Sequence, residues 1–283
     1  MFILYRRVVN VDWFGDSNTL LRFNMFSVSH FAVLGVFFLV ISALFFCRNI
    51  LREGQWRKSE ILITCSFILF EAVNHFWMYK HGLWTLGRSL PLELCNIAVI
   101  LSVILLLTKN RFVFEILFFL ALAGATQAII TPALTYGFPH FRFFHFFYSH
   151  MMVVWVTLYF VWAKGYFISF MSVLKIVGFI NLLLPAILFM NRVSEGNYWF
   201  LRHKPNSHSI LDILGPYPWY IFSLEGILIG ISFIAWIIAR HWNRRPASCA
   251  VQVPWLSSQG NIRPPFRAPF LMGPDESLRN PDE

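Results

Sequence analysis

The chain has 283 residues, 57% of them apolar or aromatic and only 13% charged, with a mean hydropathy of +0.60. No water-soluble domain of this size needs so apolar a composition for its core, which excludes a soluble globular protein and points to a polytopic membrane protein. The net charge of +9 is spread through loop after loop with no long basic run, so it reads as membrane topology and not as a nucleic-acid surface.

Residues 1–27 form a mixed, aromatic segment short enough to lie at the membrane interface. Seven windows then reach the roughly 20 apolar residues that a helix needs to cross hydrocarbon: about 28–47, 59–79, 89–108, 111–134, 144–163, 167–190 and 217–239. Backbone hydrogen bonding in lipid makes them helices, so the expected fold is an all-α membrane protein, a seven-helix transmembrane bundle over 28–245. The first window starts deep in the chain and has no cleavage signal, so insertion without removal of a leader is expected. The long connection 191–216 reads as a cap over a site. From Pro246 to Glu283 the sequence is Pro-rich and without helical period, the mark of a disordered tail.

Arg48, Arg52, Arg57, Lys58, Lys109, Arg111, Lys164, Arg240, Arg244 and Arg245 fall on one side of the expected bundle. They outnumber Arg22, Lys80, Arg88, Arg142, Arg192, Arg202 and Lys204 on the other, which favours an outside N-terminus and a cytoplasmic C-terminus. A cell membrane is the expected location. Cys47, Cys65 and Cys95 lie in apolar windows and Cys249 in the tail, with no CxxC, so neither a disulfide framework nor a structural zinc site is indicated. No metal and no cofactor are expected, and the absence of an internal repeat weighs lightly against transport.

Within these windows stand polar groups that an apolar solvent makes expensive, each a functional-site candidate for that reason. At 1.5 Å of rise per residue, His75 and Glu71 lie about 6 and 12 Å from the end of the second window, and Glu93 and Cys95 about 6 and 9 Å from the start of the third. Gln127, His150 and Glu225 lie about 9–12 Å from ends facing the same side, so alternating crossings place all of them in one layer. Glu71 and His75 are four apart, as are Gln127 and Thr131, so each pair shares a helix face. Cys95 is a candidate nucleophile and His150 its proton carrier. Gln127 and Thr131 are candidate oxyanion donors, and Glu71, His75, Glu93 and Glu225 candidate polar contacts to a substrate. His140, Arg142, His145 and Lys204 are placed to meet lipid headgroups, the guanidinium being suited to phosphate. The bland readings stand beside these: Cys95 as a small packing residue, Gln127 and Thr131 as interhelical hydrogen bonds, and Glu115 with Lys175 as a structural ion pair.

The motifs LPLELC at 90–95, GATQAIITP at 124–132, FPHFRFFHFFYSH at 138–150, and NYWFLRHKP with SILDILGPYPWY between 197 and 220 occur in a familiar order. Over roughly residues 15–245 the chain resembles the YwaF-like integral membrane proteins. These are distantly similar to eukaryotic seven-span proteins that move acyl chains between phospholipids, and to intramembrane hydrolases of fatty-acid esters. The resemblance implies lipid acyl chemistry, with membrane phospholipids or fatty acyl esters as partners. In the acyltransferase the cysteine follows Asn-Pro, the position of Leu92 here, one turn before Cys95, while His150 closes the matching histidine run. Acyl transfer or acyl-ester hydrolysis is thus the leading expectation. A transporter or channel for a small polar solute, and a non-catalytic receptor or assembly factor, are the alternatives.

Overall fold

The structure is a computed structural model and describes residues 12–16, 21–204 and 213–243, the side chains of 241–243 excepted. Its helices are α1 (Val28–Phe46), α2 (Arg48–Glu53), α3 (Arg57–Lys80), α4 (Leu86–Ser89), α5 (Leu94–Thr108), α6 (Arg111–Phe119), α7 (Thr126–Ile130), α8 (Phe141–Trp162), α9 (Phe170–Val193) and α10 (Trp219–Asn243). A π-helical turn, Leu120–Ala125, joins α6 to α7. No strand forms among the described residues, where one isolated bridge pairs Arg22 with Tyr136. Among the described residues, six helical segments are long and apolar enough to cross a membrane: Val28–Phe46, Arg57–Lys80, Arg111–Ile130, Phe141–Trp162, Phe170–Val193 and Trp219–Arg240.

The expected window 89–108 differs from these. Its helix, α5, has 15 residues, about 22 Å of length against roughly 30 Å of hydrocarbon. Pro91 is the cause, because it pushes Leu90 to extended backbone and supplies no N–H of its own. The loop after α9 satisfies the peptide groups this break leaves. The Tyr198 hydroxyl donates to the Leu86 carbonyl at 2.7 Å and accepts from the Leu90 N–H at 3.1 Å, while the Trp199 indole N–H donates to the Leu92 carbonyl at 2.7 Å. Irregular backbone at membrane depth survives only where protein provides such partners. The close seat needs glycine on both sides: a Cβ on Gly87 would lie 2.7 Å from the Ser194 carbonyl, and one on Gly196 2.7 Å from the Gly87 carbonyl.

Ring contacts set α1 parallel to α8, with His30 against Phe147, Phe37 against Trp155 and Phe45 against Trp162. Side-chain bonds set α3 antiparallel to α8, Glu71 meeting His145 near one end and Glu60 meeting Tyr159 near the other. The starts of α1, α5 and α8 and the ends of α3, α7 and α9 therefore share one end of the bundle. The core lies where α5, α6, the π turn and α8 meet, around Leu105, Phe114, Ile116, Leu117, Ile129 and Phe160.

The N-terminal segment, expected as an interfacial prelude, is stitched across that shared end. The Phe14 carbonyl accepts from the Trp77 indole N–H at 2.9 Å and from the His81 Nε2–H at 2.8 Å, and the Phe141 N–H donates to the Trp13 carbonyl at 2.8 Å. Residues 1–11 and 17–20 of that segment, and 205–212 of the 191–216 connection, lie outside the described residues. The chain divides into two units, Met1–Arg244 and Arg245–Glu283, and the second, with the expected tail from Pro246, lies outside them as well.

At the opposite end Glu60 is enclosed and fully engaged. Arg57, Lys109 and Lys164 approach its carboxylate at 3.5, 3.3 and 3.4 Å, and the Tyr159 hydroxyl donates to it at 2.8 Å. Nearby, Glu115 pairs with Lys175, as the sequence suggests, and with Arg111 at 3.5 Å.

Candidate functional site

The buried polar groups at the N-terminal end of α8 build one cluster with α3. Glu71 Oε1 and His145 Nε2 are 3.0 Å apart, so the carboxylate holds the imidazole of the facing helix instead of His75 on its own. Arg142 Nη1 donates to Asn74 Oδ1, and its guanidinium lies over the Trp77 ring, 5.4 Å from the centroid. Carbonyl oxygens only accept, so the 2.6 Å contact between His150 Nδ1 and the Phe146 carbonyl fixes the proton on Nδ1. His150 Nε2 then carries a lone pair, and among the described residues no side chain or carbonyl is hydrogen-bonded to it. Ser149, beside His150 in sequence, is buried, and its hydroxyl has no hydrogen-bond partner among the described residues. A buried unmet hydroxyl costs about 1–3 kcal/mol and asks for an explanation.

Of the other expected site residues, His75, Gln127, Thr131, Glu225 and Glu93 are committed to other partners. His75 accepts from the Trp84 indole N–H at 3.3 Å. Gln127 donates to its own helix neighbour Thr131 at 2.7 Å, and both are exposed. Glu225 accepts from Asn181 of α9 at 2.8 Å, on the α9–α10 contact. Glu93 precedes α5 and accepts from the Trp199 N–H at 3.4 Å, which adds a further tie between the loop and the start of the helix that carries Cys95. Cys95 is half-buried, in the first turn of α5, and α5 packs on both α3 and α8.

Of the residues expected at headgroups, His140 is fully enclosed. Its Nδ1 accepts from the Arg142 N–H at 3.0 Å as the N-cap of α8, its Nε2 donates to the Gly15 carbonyl at 2.9 Å, and its ring stacks on Tyr136 at 4.2 Å. Burial holds its pKa below the usual histidine value, the adjacent Arg142 charge acts the same way, and the Gly15 carbonyl opposes. Both ring nitrogens being engaged, His140 fastens the N-terminal segment to α8. Lys204 lies over the Tyr220 ring at 5.4 Å. Burial raises the Tyr198 phenol above its ordinary pKa, so the hydroxyl keeps the proton it gives to Leu86.

Sequence reasoning missed His30, Asn74 and Ser149. His30 is fully buried, its Nε2 donating to the Ile129 carbonyl at 2.9 Å and its Nδ1 accepting from the Phe26 N–H at 3.1 Å. A titratable residue in the first turn of an apolar helix was the available signal for His30. Asn74 and Ser149 carry no titratable group, and an uncharged polar side chain in an apolar span is a weaker signal, read first as an interhelical hydrogen bond. No group of three His, Cys, Asp or Glu side chains among the described residues could hold a metal ion.

Apolar helices of membrane length, with a buried acid–histidine cluster at one end, define a polytopic helical membrane protein. The chain belongs to the TMEM164 family, a multi-pass membrane family whose model matches residues 25–236. That match covers α1 to α9 and most of α10, and it does not confirm the YwaF-like resemblance of the motifs. No curated protein and no solved structure matches the chain.

Proposed function

We propose that this TMEM164-family protein is an integral membrane enzyme that transfers or hydrolyses the acyl chain of a membrane lipid ester. It would cross a cell membrane seven times, α4 with α5 serving as a broken span, with its N-terminus outside and its C-terminus in the cytoplasm. The observation that carries the reading is the tautomer of His150, whose Nδ1–H is spent on the Phe146 carbonyl so that a basic Nε2 is kept inside the bundle.

An ionised thiol is costly in hydrocarbon, so proton transfer must accompany attack. Cys95 Sγ gives its proton to His150 Nε2 as sulfur bonds to the ester carbonyl carbon. The C–O bond then breaks, and the lyso-lipid oxygen leaves with the proton from His150. A second hydroxyl, or water, gives its proton to the same nitrogen as it attacks the thioester, and Cys95 recovers a proton when the C–S bond breaks. Glu71 keeps His145 oriented beside this centre, and the Arg142 guanidinium offers a fixed charge for a headgroup phosphate.

The test is lipid mass spectrometry of cell membranes carrying wild type, Cys95→Ser or His150→Ala at matched protein levels. The expected result is an altered acyl-chain distribution with wild type alone, the variants losing about 10²–10⁴-fold in rate. Identical profiles in all three would overturn the reading.

A further inference from the structure

α1 and α3 both pack on α8 and make no substantial contact with each other. Among the described residues no helix covers the strip of α8 between them, and two apolar cavities lie along it. The larger, about 790 Å³, is bounded by Ala32 and Val36 of α1, Phe70 of α3, and Phe144, Met151 and Trp155 of α8. The smaller, about 220 Å³, continues toward the Glu60 end between Val40, Ile63 and Met152. Trp155 lines both, and its indole N–H is fastened to the Phe37 carbonyl at 3.3 Å, so the ring is a fixed partition between them.

A void of 790 Å³ falls in the range of ligand sites, about 300–1,000 Å³. Left empty it would forfeit dispersion contacts on every wall, and an apolar cavity does not fill with water. The surrounding helices have the length and apolarity of membrane spans, so the material at the cleft's open side is hydrocarbon. From Phe143 to Trp155 the slot runs along α8 for about 18 Å, close to the roughly 15 Å of a single leaflet. We infer that the α1–α3 cleft binds one acyl chain of a phospholipid taken sideways from the bilayer, with its methyl end stopped at Trp155.

The polar end of the slot adjoins the cluster described above. Phe70 and Tyr148 line it, stacked at 4.1 Å, and they precede Glu71 by one residue and follow His145 by one turn. A tail seated here brings the upper part of its lipid to the level of the histidines. Occupancy goes beyond the ester chemistry proposed for this protein and does not require it.

The experiment uses the full chain in phosphatidylcholine vesicles containing a trace of phosphatidylcholine with a photoactivatable group on one acyl chain. Crosslinked peptides are mapped by mass spectrometry. The expected yield on Val28–Val36 and Phe143–Met151 is several-fold above that on the outward residues Leu182, Phe189 and Phe222. Ala32→Trp and Met151→Trp, which place an indole in the slot, are expected to cut that yield several-fold while α9 and α10 label as before. His150→Ala is expected to leave it unchanged. Uniform labelling of the wild-type bundle overturns the inference whether or not the tryptophan variants fold, and so does slot labelling that both folded variants retain. Slot labelling together with identical lipid profiles for wild type and His150→Ala would keep the acyl slot and remove the enzymatic reading.

Discussion

The two ends of the bundle solve the same electrostatic problem in opposite ways. At one, the Glu60 carboxylate meets three cations and a phenol and is itself saturated, although the Trp56 indole N–H at that end has no hydrogen-bond partner among the described residues. At the other, Glu71 meets one imidazole, and among the described residues His150 Nε2 and the Ser149 hydroxyl have no hydrogen-bond partner. A saturated network fixes helices in place, whereas spare hydrogen-bonding capacity in a buried setting is useful only if something else arrives to use it. The contrast separates scaffold from site more sharply than the mere presence of charge does.

Removing the saturated centre is expected to have the largest effect. Glu60→Ala removes the acceptor of the Tyr159 hydroxyl and the anion that gathers three partly exposed cations, and should lower unfolding free energy by about 2–5 kcal/mol, read as loss of monodisperse protein and a depressed Tm in detergent. At the other end, His145→Ala loses one charge-assisted bond to Glu71 and should cost about 1.5–3 kcal/mol by the same melt. A Glu60 variant as stable as wild type, or a His145 variant worse than it, would invert the comparison.

His140 offers a test through pH. It is neutral in the folded state with its pKa depressed by burial, so the unfolded chain binds more protons as pH falls through about 6.5. Its contribution to stability is complete above that pH and declines below it. Melts between about pH 7.5 and 5.5 should show Tm falling on acidification, with a shallower slope for His140→Gln. An equal slope in both proteins would locate the titration elsewhere. The smallest effect is expected from Ser149→Ala. Deleting an unmet hydroxyl should leave stability unchanged or raise it by up to about 1 kcal/mol, while any change in the lipid profile would mark that hydroxyl as a contact to substrate.

Much of the bundle was legible because hydropathy and backbone satisfaction are local. The windows 28–47, 59–79, 144–163 and 167–190 correspond within a few residues to α1, α3, α8 and α9. The window 89–108 was misread at its start because apolarity ran through Pro91 while the helix did not. The bonds that make the break tolerable come from Tyr198 and Trp199, far away in sequence. The site was legible as a set of costly side chains and illegible as a set of partners. Helical spacing paired Glu71 with His75, yet the carboxylate turns across to α8, and Gln127 and Thr131 satisfy each other. Spacing along one helix says nothing of what a neighbouring helix offers.

The clasp at Tyr198 also sets an order of assembly. One hydroxyl serves two peptide groups of the α4–α5 break, at Leu90 and Leu86, from 108 and 112 residues further along the chain. During synthesis, then, these two bonds cannot form until the loop after α9 has emerged. The middle of the bundle is thus completed by a segment made near its end.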